Sequence, residues 1–372
     1  MEHADLVVIG AGQSGLATAA LAPRHGFTRI LVLEGAEEPG GSWPRYYDSL
    51  TLFSPARYSS LPGMRFPGDP DRYPRRDEVV DYLRDYARRL PAGIRTSTAV
   101  TSVTRQDGIW SVRAEDGREF TARAVIAATG DYGTPCMPDV PGQADFGGRV
   151  LHAADYRSPD AFAGQRVVVV GGGNSAIQIA AELGPLADTT LATRRPIGWT
   201  PQRPLGRDLH WWLKHILLDI APIRRLLEKV PVSVLDDGHD RTALDQHGVD
   251  RRDMFSHFTA DGVVWADGTK EEVGAVLPLP DRIGRPGHQR RAAASGRSLH
   301  CDPGSRLRRH GVPAQLLLQN PARRRPGCQA RPEANAYRSD RLNRNQEWWE
   351  AVASAWCSSL MLGVPPKPSG VR

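Results

Sequence analysis

The sequence predicts an α/β protein built from two similar strand–turn–helix–strand units, with a small antiparallel β insertion in the first. In each unit an apolar, β-branched run leads directly into a glycine-rich turn: LVVIGAGQSG at 6–15 and VVVVGGGNSA at 167–176. A helix-compatible segment and a second apolar run, at 30–33 and 189–193, follow the two turns. This order is typical of Rossmann-like dinucleotide-binding domains, so we expect two of them.

Each glycine of the first turn has its own physical task. Gly10 lets the chain turn sharply, Gly12 lets the backbone approach a pyrophosphate, and Gly15 lets helix and strand pack closely. The N-terminus of the following helix offers free N–H groups to the phosphates. Glu34 ends the second strand about twenty residues after the last glycine, where a carboxylate accepts the ribose hydroxyls of an adenine dinucleotide. Together these features favour a dinucleotide site over an incidental turn.

The segment after Glu34 is a loop rich in Gly, Pro, Ser and aromatic residues, and it contains Gly40-Gly41-Ser42-Trp43. Such loops are often plain surface connections. The position of this one, directly after the nucleotide-binding unit, favours contact with an extended cofactor. Arg76 to Leu90 then has apolar residues at helical spacing and predicts an amphipathic helix facing a core.

Strand periodicity replaces helical periodicity in the part of the chain that follows. We predict strands at 94–98, 99–105, 109–114, 119–121 and 124–128. Asp107-Gly108 and Asp116-Gly117 mark hairpin turns of an antiparallel insertion. The last run returns to the parallel sheet and ends at Thr129 and Gly130. Because ligands bind at the carboxyl ends of parallel strands, these two residues are expected near the cofactor, with a generic strand end as the alternative.

The second unit differs from the first at the end of its second strand. There Arg194-Arg195-Pro196 stands in place of an acidic residue. A carboxylate would repel the 2′-phosphate of NADP, whereas guanidinium groups pair with it bidentately. The second nucleotide is therefore expected to be NADPH; two solvated arginines, the alternative, would leave NADH open.

Composition excludes several classes of protein. The 372 residues allow two or three domains, and the net charge of +6 suits phosphate-bearing cofactors without a basic, aromatic-interleaved stripe for nucleic acid. The four cysteines are far apart, with neither CxxC nor metal-ligand spacing, so we expect a reducing compartment, no metal site and no redox disulfide of the usual form. We read neither a signal peptide nor a membrane span, and we expect a cytoplasmic protein.

A fourth motif lies between the two glycine turns: Phe146, Gly148, His152 and Tyr156 in the pattern FxGxxxHxxxY. By itself a lone histidine at a strand end is more often structural than catalytic. With GAGQSG, GGSW and GGGNSA, however, this fingerprint makes residues 5 to about 275 resemble the class B flavoprotein monooxygenases. Tyr156 favours the flavin-containing or YUCCA-like branch, because the Baeyer–Villiger version usually ends in Trp or Asp.

The resemblance implies FAD on the first unit and NADPH on the second. NADPH would reduce the flavin, O2 would form a C4a-hydroperoxyflavin, and one oxygen atom would pass to a small soft-nucleophile or carbonyl substrate. The cofactor carries the hard step, so no catalytic residue is assigned, and His152 is expected to tune the linker between domains. The expected partners are this substrate and O2, and a homodimer is compatible with the sequence.

The resemblance also assigns the cofactor contacts. The expected FAD-binding residues are Gly10, Gly12, Gln13, Ser14, Gly15, Glu34, Gly41, Ser42, Trp43, Val100, Thr129 and Gly130. The expected NADP-binding residues are Gly171, Gly173, Asn174, Ser175, Ala176, Arg194 and Arg195.

Two departures from the family keep other functions open. Many N-oxygenating relatives have an asparagine near the flavin where this chain reads LFSPARYSS. This absence suits a flavin-dependent NADPH oxidase or reductase without specific oxygenation. The C-terminal part, where periodicity disappears and Arg, Pro and Gln rise, suits a third alternative: an inactive nucleotide-binding protein.

We expect an FAD domain at 1–148, an NADP domain at 149–254, a return to the FAD domain at 255–276 and an atypical tail at 277–372. The tail is expected to be disordered and basic. A shift of reading frame is the alternative: Leu316 to Cys328 can be back-translated so that the next frame resembles the family's flavin-covering segment, which sequencing of the encoding DNA tests. Leu209 to Leu218 is predicted to be a helix on the nucleotide domain, in preference to a membrane-touching helix or one lining the substrate cleft.

Overall fold

The structure is a computed structural model that describes residues 1–130, 132, 137, 140–217, 234–279, 299–300 and 315–316. Of the tail expected at 277–372, only 277–279, 299–300 and 315–316 are described. The expected disorder and the alternative frame shift therefore fall outside the described residues, as does Leu218 at the end of the predicted helix.

Strands outnumber helices in the described residues. The strands are β1 (Glu2–Ile9), β2 (Ile30–Leu33), β3 (Gly93–Arg95), β4 (Val100–Gln106), β5 (Ile109–Ala114), β6 (Glu119–Ala127), β7 (Arg149–Val150), β8 (Arg166–Val170), β9 (Asp188–Thr193), β10 (Trp199–Pro201), β11 (Val234–Asp236), β12 (Asp250–Asp253), β13 (His257–Phe258), β14 (Gly262–Val264), β15 (Lys270–Glu272), β16 (Ala275–Pro278), β17 (Leu299–His300) and β18 (Gln315–Leu316). The α-helices are α1 (Gln13–Leu21), α2 (Arg76–Arg88), α3 (Asn174–Leu183), α4 (Leu209–Trp212) and α5 (His239–Gln246).

The first sheet has the order β17-β4-β5-β6-β1-β2-β3, with β18 paired to β6. The strands β6, β1, β2 and β3 run parallel, whereas β4 and β5 form the predicted antiparallel insertion. Val7 and Val8 of β1 are fully buried on opposite faces, which explains the unbroken apolar run of this strand. The two short runs predicted at 119–121 and 124–128 are one strand, β6, which pairs with β5 at its start and with β1 along its length.

The helices of the first unit follow from their apolar residues. α1 buries Leu16, Ala17 and Leu21, and its small side chains let it lie close to the sheet. α2 buries an apolar stripe that includes Val80 and Leu83, as the periodicity predicts, and leaves its charged face outside.

The second sheet has the order β12-β9-β8-β16-β7, and all its pairs are parallel. Val167, Val168 and Val169 of β8 are completely buried at its centre. A three-stranded antiparallel sheet, β13-β14-β15, and the parallel pair β10-β11 lie outside it. One buried cluster includes Val8 and Leu16 of the first unit and Ile177 of the second, so the two units share a core.

The strand pairing corrects the assignment of residues 255–276 to the first domain. β16 is hydrogen-bonded to β8 from Ala275 opposite Val167 to Pro278 opposite Val170. The preceding antiparallel strands bury Phe258 and Trp265 in the same cluster as Val168. Because β16 fills the place between β8 and β7, the described part of 255–279 completes the second unit.

Candidate cofactor-binding site

The first glycine turn joins β1 to α1 and leaves almost no space for a side chain at Gly10 or Gly15. Gly10 has φ +105°, and a Cβ atom built there would lie 2.4 Å from the Ala128 carbonyl oxygen. A Cβ atom on Gly15 would lie only 1.8 Å from the Gly10 carbonyl oxygen. Gly12 is the N-cap residue of α1 and supplies no side-chain cap. The N-terminus of α1 therefore has no side-chain cap that would compete with an anionic ligand.

The GGSW loop folds directly onto this turn. The Gly40 N–H donates to the Ala11 carbonyl oxygen over 3.0 Å. Gly41 has φ +61°, and its Cβ atom would lie 2.8 Å from Gly12 Cα. The Trp43 indole N–H donates to the Gln13 amide oxygen. Two predicted contact residues of the glycine turn, Gly12 and Gln13, thus pack against two of the loop, Gly41 and Trp43. Ser14 and Ser42 lie half-buried beside them.

Glu34 is buried directly after β2, where its carboxylate accepts hydrogen bonds from two loops. Its Oε2 accepts from the Ala11 N–H over 2.6 Å, and its Oε1 accepts from the Ala36 N–H over 3.0 Å. Each carboxylate oxygen has a further lone pair, so the group can still accept a ribose hydroxyl. The carboxylate therefore fixes the glycine turn in the same place where sequence reasoning expects it to meet the nucleotide.

The other residues predicted for the first unit lie around this turn. Thr129 and Gly130 are exposed just beyond β6, next to the Ala128 carbonyl that limits Gly10. Val100 begins β4 and is half-buried; its neighbour Ala99 lies 3.7 Å from a Cβ atom on Gly35. Thr129 and Gly130 are thus at the carboxyl end of a parallel strand, whereas Val100 is at the start of a strand of the antiparallel insertion.

A small cleft of about 20 Å³, with room for about one water molecule, lies beside Gln13 and Trp43. Its lining is mostly apolar, with two serines. The lining residues are Gln13, Trp43, Leu52, Ser59, Ser60, Leu61, Phe66, Val79, Tyr82 and Leu83.

The second glycine turn joins β8 to α3. Gly171 has φ +151°, and its Cβ atom would lie 2.5 Å from the Leu279 carbonyl oxygen and 3.1 Å from Ala176 Cβ. Gly173 is the N-cap residue of α3 and, like Gly12, gives the helix no side-chain cap. The Asn174 side-chain oxygen accepts from the Leu235 N–H over 3.2 Å, which ties the turn to β11.

The charged end of the second unit is open to solvent. Arg194 and Arg195 follow directly after β9 and are exposed, as is Ser175 in the first turn of α3. The two arginines occupy the position that corresponds to buried Glu34 in the first unit. Their side chains are therefore accessible to an anionic ligand.

Polar contacts join the two units. The Tyr47 hydroxyl donates to the Gln178 amide oxygen over 2.7 Å, and the Gln178 amide donates to the Thr51 carbonyl over 3.3 Å. The Asp48 N–H donates to the Arg157 carbonyl over 2.9 Å. α3 is thus held against the loop that follows the GGSW motif.

The residues of the FxGxxxHxxxY fingerprint lie near this junction, and their contacts are with other parts of the protein interior. Phe146 is buried in the second unit, and a Cβ atom on Gly148 would lie 2.3 Å from its ring and 2.7 Å from the Gly274 carbonyl oxygen. Tyr156 is fully buried, and its hydroxyl donates to the carboxylate of Glu182 on α3. Burial raises the pKa of Tyr156, and the neighbouring Glu182 adds to this effect.

His152, the third fingerprint residue, is half-buried. Its Nδ1 accepts from the Ala154 N–H over 3.0 Å. Partial burial lowers the pKa of His152. The nearby carboxylate of Asp155 acts in the opposite direction, but its effect is smaller. These contacts agree with a role in shaping the linker.

A buried polar cluster at the junction is not among the predicted site residues. Asp208 accepts from the His210 backbone N–H and from His210 Nδ1, each over 2.8 Å, at one oxygen. At its other oxygen it accepts from the Tyr73 hydroxyl over 2.7 Å and from the Gln202 amide over 2.9 Å. Burial alone would raise the pKa of Asp208, but the hydrogen bonds from His210, Gln202 and Tyr73 hold it below its ordinary value. The only signal in the sequence is the Asp-x-His spacing at the start of α4.

Neither a metal-ion cluster nor a membrane-spanning helix occurs within the residues that the structure describes. Within them no group of three or more His, Cys, Asp or Glu side chains could hold a metal ion. Over the same ranges no helix is long and apolar enough to cross a membrane.

Comparisons with known proteins agree with this geometry. The family described as pyridine nucleotide-disulphide oxidoreductase matches residues 7–218. An uncharacterised CzcO-like oxidoreductase of Geobacillus kaustophilus is 35% identical over 218 residues, or 58% of this chain and 62% of that protein. YUCCA8 of Arabidopsis thaliana, named a probable indole-3-pyruvate monooxygenase, is 34% identical over 212 residues, or 54% of this chain and 50% of that protein. The chain thus spans about half to three-fifths of the length of these curated relatives.

Among solved structures, a flavin-containing monooxygenase from Stenotrophomonas maltophilia is similar with a TM-score of 0.63 and 36% identity. The match covers 74% of this chain and 78% of that one. This likeness confirms the predicted α/β fold with two dinucleotide-binding domains. It also confirms the predicted resemblance to flavin monooxygenases.

Proposed function

This chain belongs to the pyridine nucleotide-disulphide oxidoreductase family, and from this premise we propose that it is an NADPH-dependent flavin monooxygenase. In this proposal FAD occupies the first unit, NADPH the second, and one oxygen atom of O2 passes to a small soft-nucleophile or carbonyl substrate. The family and the flavin monooxygenase neighbours imply both cofactors. They leave the substrate open.

The observation that carries the proposal is the pair of glycine turns with opposite charges at corresponding positions. Both helices begin at an uncapped glycine, Gly12 in α1 and Gly173 in α3, and both offer N–H groups to a pyrophosphate. The first turn is closed by buried Glu34, which suits a ribose without a phosphate. The second is followed by exposed Arg194 and Arg195, which suit a 2′-phosphate.

The residues around the first turn fit a flavin in their chemistry. A Cβ atom on Gly41 would lie 2.8 Å from Gly12 Cα, so only the main chain of Gly41 meets the phosphate-binding turn. Trp43, fixed by its hydrogen bond to Gln13, offers a flat apolar surface in the lining of the cleft. When bound and reduced by NADPH, FAD supplies the reaction with O2, which the protein side chains need not perform.

The task of the protein is then orientation and the exclusion of water. Leu52, Leu61 and Phe66 are buried and give the cleft an apolar wall. An apolar enclosure of this kind keeps water from a reactive intermediate. The polar contacts between Tyr47, Gln178 and Thr51 keep the two nucleotide turns in a fixed relation.

An absorption spectrum of the purified protein, repeated after NADPH is added without oxygen, tests the proposal. We expect a flavin spectrum that is bleached by NADPH at much lower concentration than by NADH. A colourless protein that cannot be reconstituted with FAD would instead support the inactive nucleotide-binding alternative.

The segment at 52–60, which contains no asparagine, favours a second candidate. In a flavin-dependent NADPH oxidase, electrons from NADPH reach O2 without a substrate. Measuring hydrogen peroxide formed per NADPH oxidised separates the two functions. A ratio near one with every compound in a panel of sulfides, amines and ketones would favour the oxidase, whereas a substrate that lowers this ratio supports the monooxygenase.

A further inference from the structure

One short segment contacts both glycine-turn helices. Trp43 begins a short 3₁₀-helix, and its indole N–H donates to the Gln13 amide oxygen in the first turn of α1. Four residues later, the Tyr47 hydroxyl donates to the Gln178 amide oxygen on α3 over 2.7 Å. Residues 43–47 therefore form a bridge from the first nucleotide-binding turn to the helix of the second.

The second end of the bridge meets the start of α3. Tyr47 is buried, with only 2% of its surface exposed. Burial raises the pKa of Tyr47, and a hydrogen bond with the Ser175 side chain acts in the opposite direction. Ser175 is an expected NADP-binding residue and follows closely on Gly173, the uncapped N-cap residue of α3. The Tyr47 hydroxyl is thus placed to set the position of the first turns of this helix.

The bridge is connected along its whole length. The Tyr46 N–H donates to the Trp43 carbonyl over 3.2 Å, and the rings of these two residues lie 5.2 Å apart between centroids. The Tyr46 carbonyl accepts from Arg76 over 2.7 Å and from Arg157 over 3.0 Å. Arg157 also donates to the Pro44 carbonyl over 3.4 Å. Because these bonds join neighbouring residues, a displacement at Trp43 is passed on to Tyr47.

We propose that Tyr47 is a positioning residue for the second nucleotide and that the bridge makes the two cofactor sites cooperative. The inference rests on the proposed monooxygenase function and adds the regulation of its two sites. A ligand that fixes Gln13 and Trp43 orders the bridge, so that less freedom is lost when α3 binds the second ligand. By linkage, FAD and the nicotinamide nucleotide raise each other's affinity by the same factor. The coupling favours nucleotide binding by molecules that already carry flavin.

Isothermal titration calorimetry of the full-length protein tests this coupling. The probes are FAD and NADP⁺, the oxidised nucleotide, which leaves the flavin oxidised. The affinity for NADP⁺ is measured with flavin-free and with FAD-loaded protein, and the affinity for FAD is measured with and without saturating NADP⁺. We expect both affinities to rise by the same factor, about fivefold or more. Affinities that do not depend on the other ligand would overturn the proposal.

Three variants locate the effect. Tyr47→Phe keeps the ring but removes the hydroxyl and should lower the coupling factor to about one. Gln178→Leu removes the partner on α3 and should have the same result. Tyr86→Phe is the matched control, because Tyr86 is also buried and its hydroxyl donates over 2.6 Å to the Pro62 carbonyl within the first unit. A factor that survives in both bridge variants, or is lost equally in Tyr86→Phe, contradicts the assignment.

Amide hydrogen exchange of the wild-type protein gives a measurement that needs neither flavin nor a variant. The Gly40 N–H donates to the Ala11 carbonyl and the Trp43 N–H to the Gly40 carbonyl, so both report on the first turn. In flavin-free protein NADP⁺ should slow exchange at these two amides and leave β5 unchanged. Unchanged exchange at Gly40 and Trp43 in a protein that binds NADP⁺ overturns the proposal.

The outcomes separate this inference from the function on which it rests. Binding of both nucleotides with a coupling factor of one refutes only the cooperativity. Slower exchange at Gly40 and Trp43 with NADP⁺, in a protein that cannot bind FAD, supports the bridge and refutes the monooxygenase function. A protein that binds neither nucleotide refutes both.

Discussion

The two nucleotide-binding units share one turn geometry, but they differ in how much space the turn leaves for a side chain. Gly10 and Gly171 both have positive φ, and in each case a Cβ atom would meet a carbonyl oxygen beyond a neighbouring parallel strand, that of Ala128 or Leu279. The third position of the motif differs: Gly15 in the first unit and Ala176 in the second. In the first unit helix and turn leave no space for a methyl group, whereas the second accommodates one.

The units also differ in the charge and burial that follow their second strands. Buried Glu34 is a structural member of the first turn through its bonds to Ala11 and Ala36. Arg194 and Arg195, at the corresponding position of the second unit, are exposed. If Glu34 and the two arginines bind the nucleotides as we propose, the first unit uses one residue for both nucleotide recognition and folding, whereas the second unit uses different residues for the two tasks.

The largest expected effect comes from adding one methyl group to the tighter turn. Gly15→Ala places Cβ 1.8 Å from the Gly10 carbonyl oxygen and 3.0 Å from its carbon, so the backbone must move. We expect a loss of about 4 kcal/mol or more in the free energy of unfolding, together with loss of bound flavin. Ala176→Gly, the converse change in the second unit, should cost only about 1 kcal/mol through helix propensity. Urea denaturation of both variants checks the comparison, and similar losses would contradict it.

The next effect concerns the acid of the first unit. In Glu34→Gln the amide NH2 replaces one of two acceptor oxygens, so the N–H of Ala11 or Ala36 loses its partner. We expect a loss of about 1–3 kcal/mol in the free energy of unfolding, because a buried donor is left unsatisfied. Arg194→Gln, at the corresponding exposed position, should stay within about 0.5 kcal/mol of wild type. Thermal and urea unfolding of both variants would refute the contrast if the two changes had equal effects.

A third change affects ligand choice rather than folding. In Arg194→Gln/Arg195→Gln the affinity for NADPH should fall about tenfold to hundredfold, because charge-assisted hydrogen bonds to the 2′-phosphate are worth about 1.5–3 kcal/mol. The affinity for NADH should not change. Anaerobic reduction of the flavin at increasing concentrations of each nucleotide measures this, with the exposed Arg123→Gln as control. An equal loss of affinity for NADPH and NADH would contradict the proposed binding of the 2′-phosphate by Arg194 and Arg195.

Local patterns predicted much of this architecture. The glycine turns, the end of β2 at Glu34 and the stripe of α2 depend on residues close in sequence, and these predictions agree with the structure. The assignment of 255–276 to the first domain does not agree with the pairing of Ala275 and Val276 with β8, because a short apolar strand buried on both faces fits either parallel sheet and only long-range pairing decides. The cofactor roles of the site residues stay predictions.

The Asp208–His210 cluster could not be predicted for a similar reason. Its members come from three distant segments, and Tyr73, Gln202 and Phe53 meet only when the units pack together. An Asp-x-His spacing alone is common at helix N-termini, where the acid serves as a cap. Sequence periodicity identifies elements well but does not show which polar side chains their packing will bury.

The smallest expected effect lies at the contact between the units. Burial raises the pKa of Glu182, against hydrogen bonds from Ser49 and Tyr156 that lower it. Because the folded protein holds this proton more tightly than the unfolded chain, Glu182 contributes stability below its unfolded pKa of about 4.3, and this contribution is lost as pH rises through the raised value. Glu182→Gln keeps an acceptor for the Tyr156 hydroxyl but cannot ionise.

The variant should therefore match wild type near pH 4 and become more stable by less than about 1 kcal/mol at pH 8, since partial exposure screens the charge. Urea unfolding at the two pH values measures the difference. Asp188→Asn, an exposed acid paired with Arg166 on the second sheet, is the control and should not gain stability at pH 8. A Glu182→Gln variant that loses stability at pH 8 would show that the ionised carboxylate itself holds the two units together, so that the second unit, like the first, depends on a buried acid.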